Sequence, residues 1–178
     1  MRASVFAAAL SATVFALPAL AQTSTTMSSG TAPVGDASFV KAVAISDKFE
    51  IQASELAQTK ATSADTKTFA SRMVTDHTKT SDALKSLAAN KHGLAIPTSL
   101  DAQHKAMLSR LRAAKGASFD TLYAQQQIQA HNQAVMLFTS ESQNGKDADL
   151  KKFAADTLPA LQEHLSMAQQ LPKGGGAP

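Results

Sequence analysis

Three histidines and one glutamate, His77, His131, His164 and Glu50, are the side chains whose type and spacing suit a metal ion. Imidazole nitrogen and carboxylate oxygen are ligands for zinc, copper or iron, and a chain without thiolate leaves the choice among them open. The chain has 178 residues and no cysteine, which excludes a cysteine-zinc finger, an iron–sulfur cluster, a disulfide scaffold and a thiol nucleophile. Serines are frequent, but none is recognisably paired with a histidine and an acid, and no glycine-rich phosphate loop is present. These absences argue against an enzyme.

The helices must bring the four candidates together. Ala, Leu, Lys, Gln and Met dominate, β-branched runs are missing, and the strong breakers fall at boundaries. Helices are predicted from Asp36, read as an N-cap, to about Lys60; from Ser63 to about Lys91, before Gly93; and from about Ser99 to Lys115, before Gly116. Two more run from Ser118 to about Gln143, before Gly145, and from about Asp147 to Leu171, stopped by Pro172. Pro159, inside the last, predicts a kink or a restart because it lacks an N–H and collides with the carbonyl of Ala155. Four helices reach about 38 Å at 1.5 Å per residue and the third about 25 Å. The expectation is an all-α, ferritin-like four-helix bundle with the shorter helix as crossover, which lets the second and fourth helices lie parallel.

Around each predicted helix, about 100° per residue gives one apolar arc. On the second helix Phe69, Ala70, Met73, Leu84, Leu87 and Ala88 define it, with His77 inside. On the fourth, Tyr123, Ala124, Ile128, Ala134, Val135 and Phe138 surround His131, with Gln127 one turn before. On the last, Leu150, Phe153, Ala154, Leu161, Leu165 and Ala168 form the stripe and His164 sits at its edge. The first helix has two apolar sectors, one made by Phe39, Val40, Val43, Ile51 and Ala57, and it also contains Asp47 and Glu50. Glu50, His77, His131 and His164 all lie near mid-length, so an antiparallel bundle puts them in one layer. One transition-metal ion is the expected cofactor; a buried hydrogen-bond network is the competing use of the same residues.

Asp47, Asp76 and His104 are secondary candidates; Asp76 borders the arc beside His77, and His104 faces inward from the connector. His92 is assigned to the end of the second helix, where positive charge offsets the dipole, and Glu163 to solvent. Met73 and Met167 lie one turn from His77 and His164, which would suit copper(I), but methionine is also ordinary core filler.

The ends differ from the middle. Arg2, the apolar run Ala3 to Leu17 and Ala19-Leu20-Ala21 predict a signal peptide over residues 1–21, with the mature chain starting at Gln22 in the periplasm or outside the cell. Residues 22–35 read as a flexible leader and 172–178 as a matching tail, leaving a bundle over 36–171. No later apolar run is long enough for a transmembrane segment. Net charge is +3 with basic residues dispersed, and aromatics are 5%, so nucleic acid is not an expected partner; protein partners are not legible.

An ordered set of motifs resembles the DUF4142 family of bacterial exported proteins. It runs through Phe39-Val40, Glu50, Leu56-Ala57 with Lys60-Ala61, and Lys67-x-Phe69-Ala70-x-x-Met73-Val74-x-Asp76-His77. It continues with Gly116-Ala117-x-Phe119-Asp120-x-x-Tyr123, His131, Leu150-Lys151-x-Phe153-Ala154 and Leu158-Pro159-x-Leu161-x-x-His164-Leu165. The resemblance implies a ferritin-like bundle in the cell envelope with no settled activity. The family commonly has Asp before the fourth-helix histidine, where this chain has Ala130. A ferritin-like fold also implies a di-iron site, but Val74, Ile128 and Leu161 stand three residues before the histidines, so the Glu-x-x-His pairs of such sites are missing. Two function classes follow: a metal-binding or metal-sensing periplasmic bundle, and an envelope stress or scaffold protein acting through its surface.

Overall fold

A computed structural model describes residues 35–89 and 91–172. The expected signal peptide, most of the leader and most of the tail lie outside the described residues. Five helices follow in order: α1 (Asp36–Lys60), α2 (Ala64–Ala89), α3 (Ala102–Ala113), α4 (Ala117–Asn144) and α5 (Ala148–Gln170). Among the described residues there is no strand, and no helix is long and apolar enough to cross a membrane.

The helix starts follow from local chemistry. Asp101 caps α3 by accepting from the His104 N–H at 2.8 Å, and Asp147 caps α5 by accepting from the Asp149 and Leu150 N–H groups at 3.0 Å. Gly35, not Asp36, is the N-cap of α1; Asp36 stands in the first turn, where its charge suits the helix dipole. Gly116 precedes α4 with φ 55°, a left-handed conformation that disfavours any side chain. Pro159 does not restart α5: the helix is continuous from Ala148 to Gln170 with Pro159 inside it. Pro159 and Ala155 are both exposed, so the ring and the carbonyl it displaces face water instead of the core.

α1 packs on α2 and α4 on α5, while α1 also meets α4 and α2 meets α5. Two ties fix the directions. The Asp120 carboxylate at the start of α4 accepts from the Thr62 and Ser63 N–H groups in the α1–α2 turn, at 3.1 and 3.2 Å. Lys91, just past α2, donates to Asp147 at the start of α5 at 2.6 Å. The starts of α2 and α4 therefore share one end of the bundle, and these helices run parallel as the crossover requires. α3 packs on α1 and α4. At 12 residues it spans about 18 Å, shorter than the predicted 25 Å, and the segment around Pro97 covers the rest. This packing explains the two apolar sectors of α1. Phe49 and Ala53 are fully buried where the expected Ile51 is only partly so, because Met107, Leu108 and Leu111 of α3 cover the second sector.

The core is divided. One apolar cluster contains Phe49, Phe69, Met73, Tyr123, Ala130 and Ala168. The other contains Val43, Leu84, Ala134, Phe138, Phe153 and Leu161. On α2, α4 and α5 the boundary falls at His77, His131 and His164, a polar layer between two oily ones.

Candidate metal centre

Each helix delivers its imidazole at the interior stripe. His77, His131 and His164 are 3%, 1% and 2% exposed. Their ring centroids form a nearly equilateral triangle with sides of 5.5, 5.7 and 5.4 Å. One nitrogen from each ring lies within 4.8 Å of the other two. Nitrogens bound to one ion at about 2.0–2.1 Å in a trigonal arrangement stand about 3.5 Å apart, so a modest inward tilt of the rings closes the set.

What holds the rings bears directly on that chemistry. His77 Nδ1 is 2.9 Å from Asp47 Oδ1, His131 Nδ1 donates to the Gln127 carbonyl at 2.9 Å, and His164 Nε2 is 3.0 Å from Asp76 Oδ2. The opposite nitrogens, His77 Nε2, His131 Nε2 and His164 Nδ1, are buried without a hydrogen-bond partner among the described residues. A carbonyl oxygen can only accept, so the proton of His131 is fixed on Nδ1 and its lone pair on Nε2. Metal-ligating histidines are oriented in this way, one nitrogen tied to a carboxylate or carbonyl and the other left for the ion.

Burial keeps the rings neutral. It pushes His77 down to about 4 and, aided by the repulsion of His77, His131 down to about 3. His164 is also lowered by burial, with the Asp76 hydrogen bond pulling the other way. Burial works to raise Asp76, but the hydrogen bonds from His164 and Arg72 outweigh it and hold the carboxyl below its usual range. Asp47 goes the other way: burial raises it well above that range, and Lys85 only partly offsets this.

The expected residues separate into three groups. His77, His131 and His164 come together. Asp47 and Asp76 stand behind the triad, and Asp76 orients His164, not its neighbour His77, which Asp47 holds instead. Glu50 does not complete the set of ligand atoms. It is 1% exposed beside Gln127 and Asp47; the Gln127 amide is near enough to favour the anion yet outside hydrogen-bonding geometry, and neither carboxylate oxygen has a partner among the described residues. Burial pushes Glu50 up to about 8 against the pull of Gln127, with the repulsion of Asp47 adding to the rise.

His104 is apart from the triad, bonded through Nδ1 to Asp101 and packed on Phe49 at 5.2 Å. His92 is exposed in the turn after α2, beyond the helix end it was expected to occupy. Met73 is buried in the apolar cluster, and Met167 takes an Arg72 N–H on its sulfur at 3.2 Å. Glu163 is exposed as expected, but it forms a bidentate pair with Arg72 at 2.7 and 2.8 Å. Sequence reasoning missed this clamp, since Arg72 and Glu163 are 91 positions apart. The Gln127 contact was legible: a ring nitrogen meeting the carbonyl four residues back is ordinary helix geometry.

Residues 19–171 match the family described as a domain of unknown function, DUF4142. The chain belongs to the DUF4142 family. No curated protein matches this DUF4142 chain. Solved structures do. CopM in its Cu(II)-bound form superposes with a TM-score of 0.67 at 21% identity, over 78% of this chain and 96% of that one. The Cu(I)-bound form gives 0.65 at 21% identity, over 77% and 94%. A silver-bound form obtained by co-crystallisation gives 0.64 at 20% identity, over the same shares. At this identity the likeness establishes that the DUF4142 bundle shares the fold of CopM.

Proposed function

We propose that this bundle is an exported protein of the cell envelope that binds one copper ion between His77, His131 and His164, as a metal carrier or sensor and not as an enzyme. One observation carries the reading: three buried imidazoles bring nitrogens within 4.8 Å of one another, and each ring has one nitrogen hydrogen-bonded to an oxygen atom and the other unpartnered among the described residues. A histidine network kept only for its hydrogen bonds would pair those nitrogens with one another or with nearby donors. Copper is preferred over zinc and iron because the structural relatives were solved with Cu(II), Cu(I) and silver. Three neutral imidazoles suit a borderline or soft ion, and a trigonal set needs no fourth ligand from Glu50. Export rests on the charged and apolar pattern before Gln22, and intact mass of periplasmic material, starting at Gln22, is its test.

Calorimetric titration of the untagged apo-protein tests the site. Wild type should take one Cu(II) or Ag(I) per chain at about −8 kcal/mol or better, and His77→Ala or His131→Ala should weaken this at least about 100-fold, with His92→Ala unchanged. An ordinary imidazole would make affinity fall as pH drops through about 6.5. Burial moves that threshold: with His77 near about 4, affinity should hold from pH 7 to about 5 and fall only below. Wild-type binding no tighter than about millimolar, near −4 kcal/mol, would sink the proposal.

A further inference from the structure

A cavity of about 170 Å³ opens between α1, α4 and the start of α3. At about 30 Å³ per water it holds several water molecules. Exposed Asp101 and part-exposed His104 stand on its outer side, and buried Asp47 and His77 close its inner end. Between them the wall is mostly apolar, interrupted by Ser46 and Gln133, with the small side chains Ala130 and Ala134 on the α4 side. The same unit therefore occurs at both ends. Asp101 Oδ1 meets His104 Nδ1 at 2.8 Å, and Asp47 Oδ1 meets His77 Nδ1 at 2.9 Å. In both, the hydrogen bond occupies Nδ1 and leaves Nε2 for a ligand. An ion crossing this space finds a carboxylate–imidazole pair at each end and, between them, only the neutral polar groups of Ser46 and Gln133.

We propose that this cavity is the path by which a cation reaches the triad, with Asp101 and His104 as its outer docking position and His77 as the first inner ligand. This rests on the reading of the triad as a metal site and adds a route to it. The anionic Asp101 at the surface attracts a hydrated cation, and His104 exchanges one of its waters for nitrogen. Transfer to His77 then brings the ion beside the remaining two imidazoles.

The test is kinetic. Tyr123 is the one tyrosine and there is no tryptophan, so its fluorescence reports Cu(II) arriving in the core when full-length apo-protein is mixed with the ion in a stopped-flow instrument. Loading should slow about tenfold in His104→Ala and also slow in Asp101→Asn, in which Asn retains the cap of α3 without the charge. Ala134→Leu, which narrows the cavity, should slow it as well. Release to an excess of chelator should slow by the same factor, because closing a path changes both directions equally. His92→Ala should load at the wild-type rate. If Asp101→Asn and Ala134→Leu, with helical circular dichroism intact, load as fast as wild type, the route is overturned while the triad stands. If wild type itself takes up no Cu(II), route and triad fall together.

Discussion

The polar layer and the two apolar layers of this bundle are equally buried and oppositely built. In the apolar layers the burial of Phe39, Phe49, Leu84 and Leu150, each no more than 1% exposed, drives assembly at about 25 cal/mol per Å² of surface removed from water. In the layer between them Asp47, Glu50, Gln127 and the three histidines are as thoroughly buried, yet several of their polar atoms have no partner among the described residues. Such groups oppose folding, by about 1–3 kcal/mol for each neutral group left unsatisfied. The outer layers supply stability, and the middle layer uses some of it to hold lone pairs out of water. Stability and site are thus separable by substitution.

The largest effect should come from putting a charge into an oily layer. Leu84→Asp places a carboxylate where Leu84 is 1% exposed and should cost several kcal/mol, lowering the melting temperature by roughly 10 °C or more. An unchanged melt would show that the two layers do not differ as described.

The middle layer should respond with the opposite sign. Glu50 has its carboxyl raised to about 8 from an ordinary value of 4.5, so between those values the folded chain holds a proton that the unfolded chain has released. Stability of the apo-protein should therefore fall as pH rises from about 4.5 to about 8 on account of Glu50. His77, lowered to about 4, acts the other way, and its contribution is lost as pH drops from about 6.5 to about 4. Above pH 6.5 the carboxylates act alone, and Glu50→Gln should stabilise the fold by about 2–4 kcal/mol at pH 8 while flattening the decline. Some slope should remain from Asp47, which burial also raises. Urea melts at pH 6.5 and 8 with a chelator present check this, and an undiminished slope in Glu50→Gln would assign it elsewhere.

The contrast also explains what could be read from sequence. Helical periodicity places single side chains on a face, and it put His77, His131 and His164 inward because each shares its face with Met73, Ala134 or Leu161. It placed Glu50 on the same layer by height, but height leaves azimuth and reach undetermined: Glu50 is buried near Gln127 and Asp47 and is not among the converging ligand atoms. The partner of each imidazole depends on which helix is adjacent, so Asp76, next to His77 in sequence, serves His164 instead. The cover provided by α3 was legible only as a leftover apolar sector of α1, because a helix pattern does not name the surface it meets. Pro159 shows the limit of local rules: the helix runs through it, and exposure of Ala155 lets water satisfy the carbonyl that has lost its N–H partner.

The smallest expected effect lies where the polar layer reaches the surface. Asp47 and His77 are enclosed, with side chains 4% exposed, whereas Asp76 is 28% exposed and bonded to Arg72, which in turn grips Glu163. An exposed ion pair contributes at most about 1 kcal/mol, so Glu163→Gln should lower stability by less than that. Its hydrogen-bonded reach into the site is through Arg72, beyond a direct charge interaction with His164 that solvent screens. The Arg72 Nε contact to Asp76 at 3.2 Å is an intrahelical pair four residues apart and does not need Glu163, so Asp76 should keep accepting from His164. Copper affinity in Glu163→Gln should then stay within about threefold of wild type, while Asp76→Asn, which removes the anion behind His164, should weaken it about tenfold or more. Parallel titrations measure both. A loss in Glu163→Gln as large as in Asp76→Asn would mean that the surface clamp positions His164, and that the boundary between scaffold and site lies one residue further out than the buried layer.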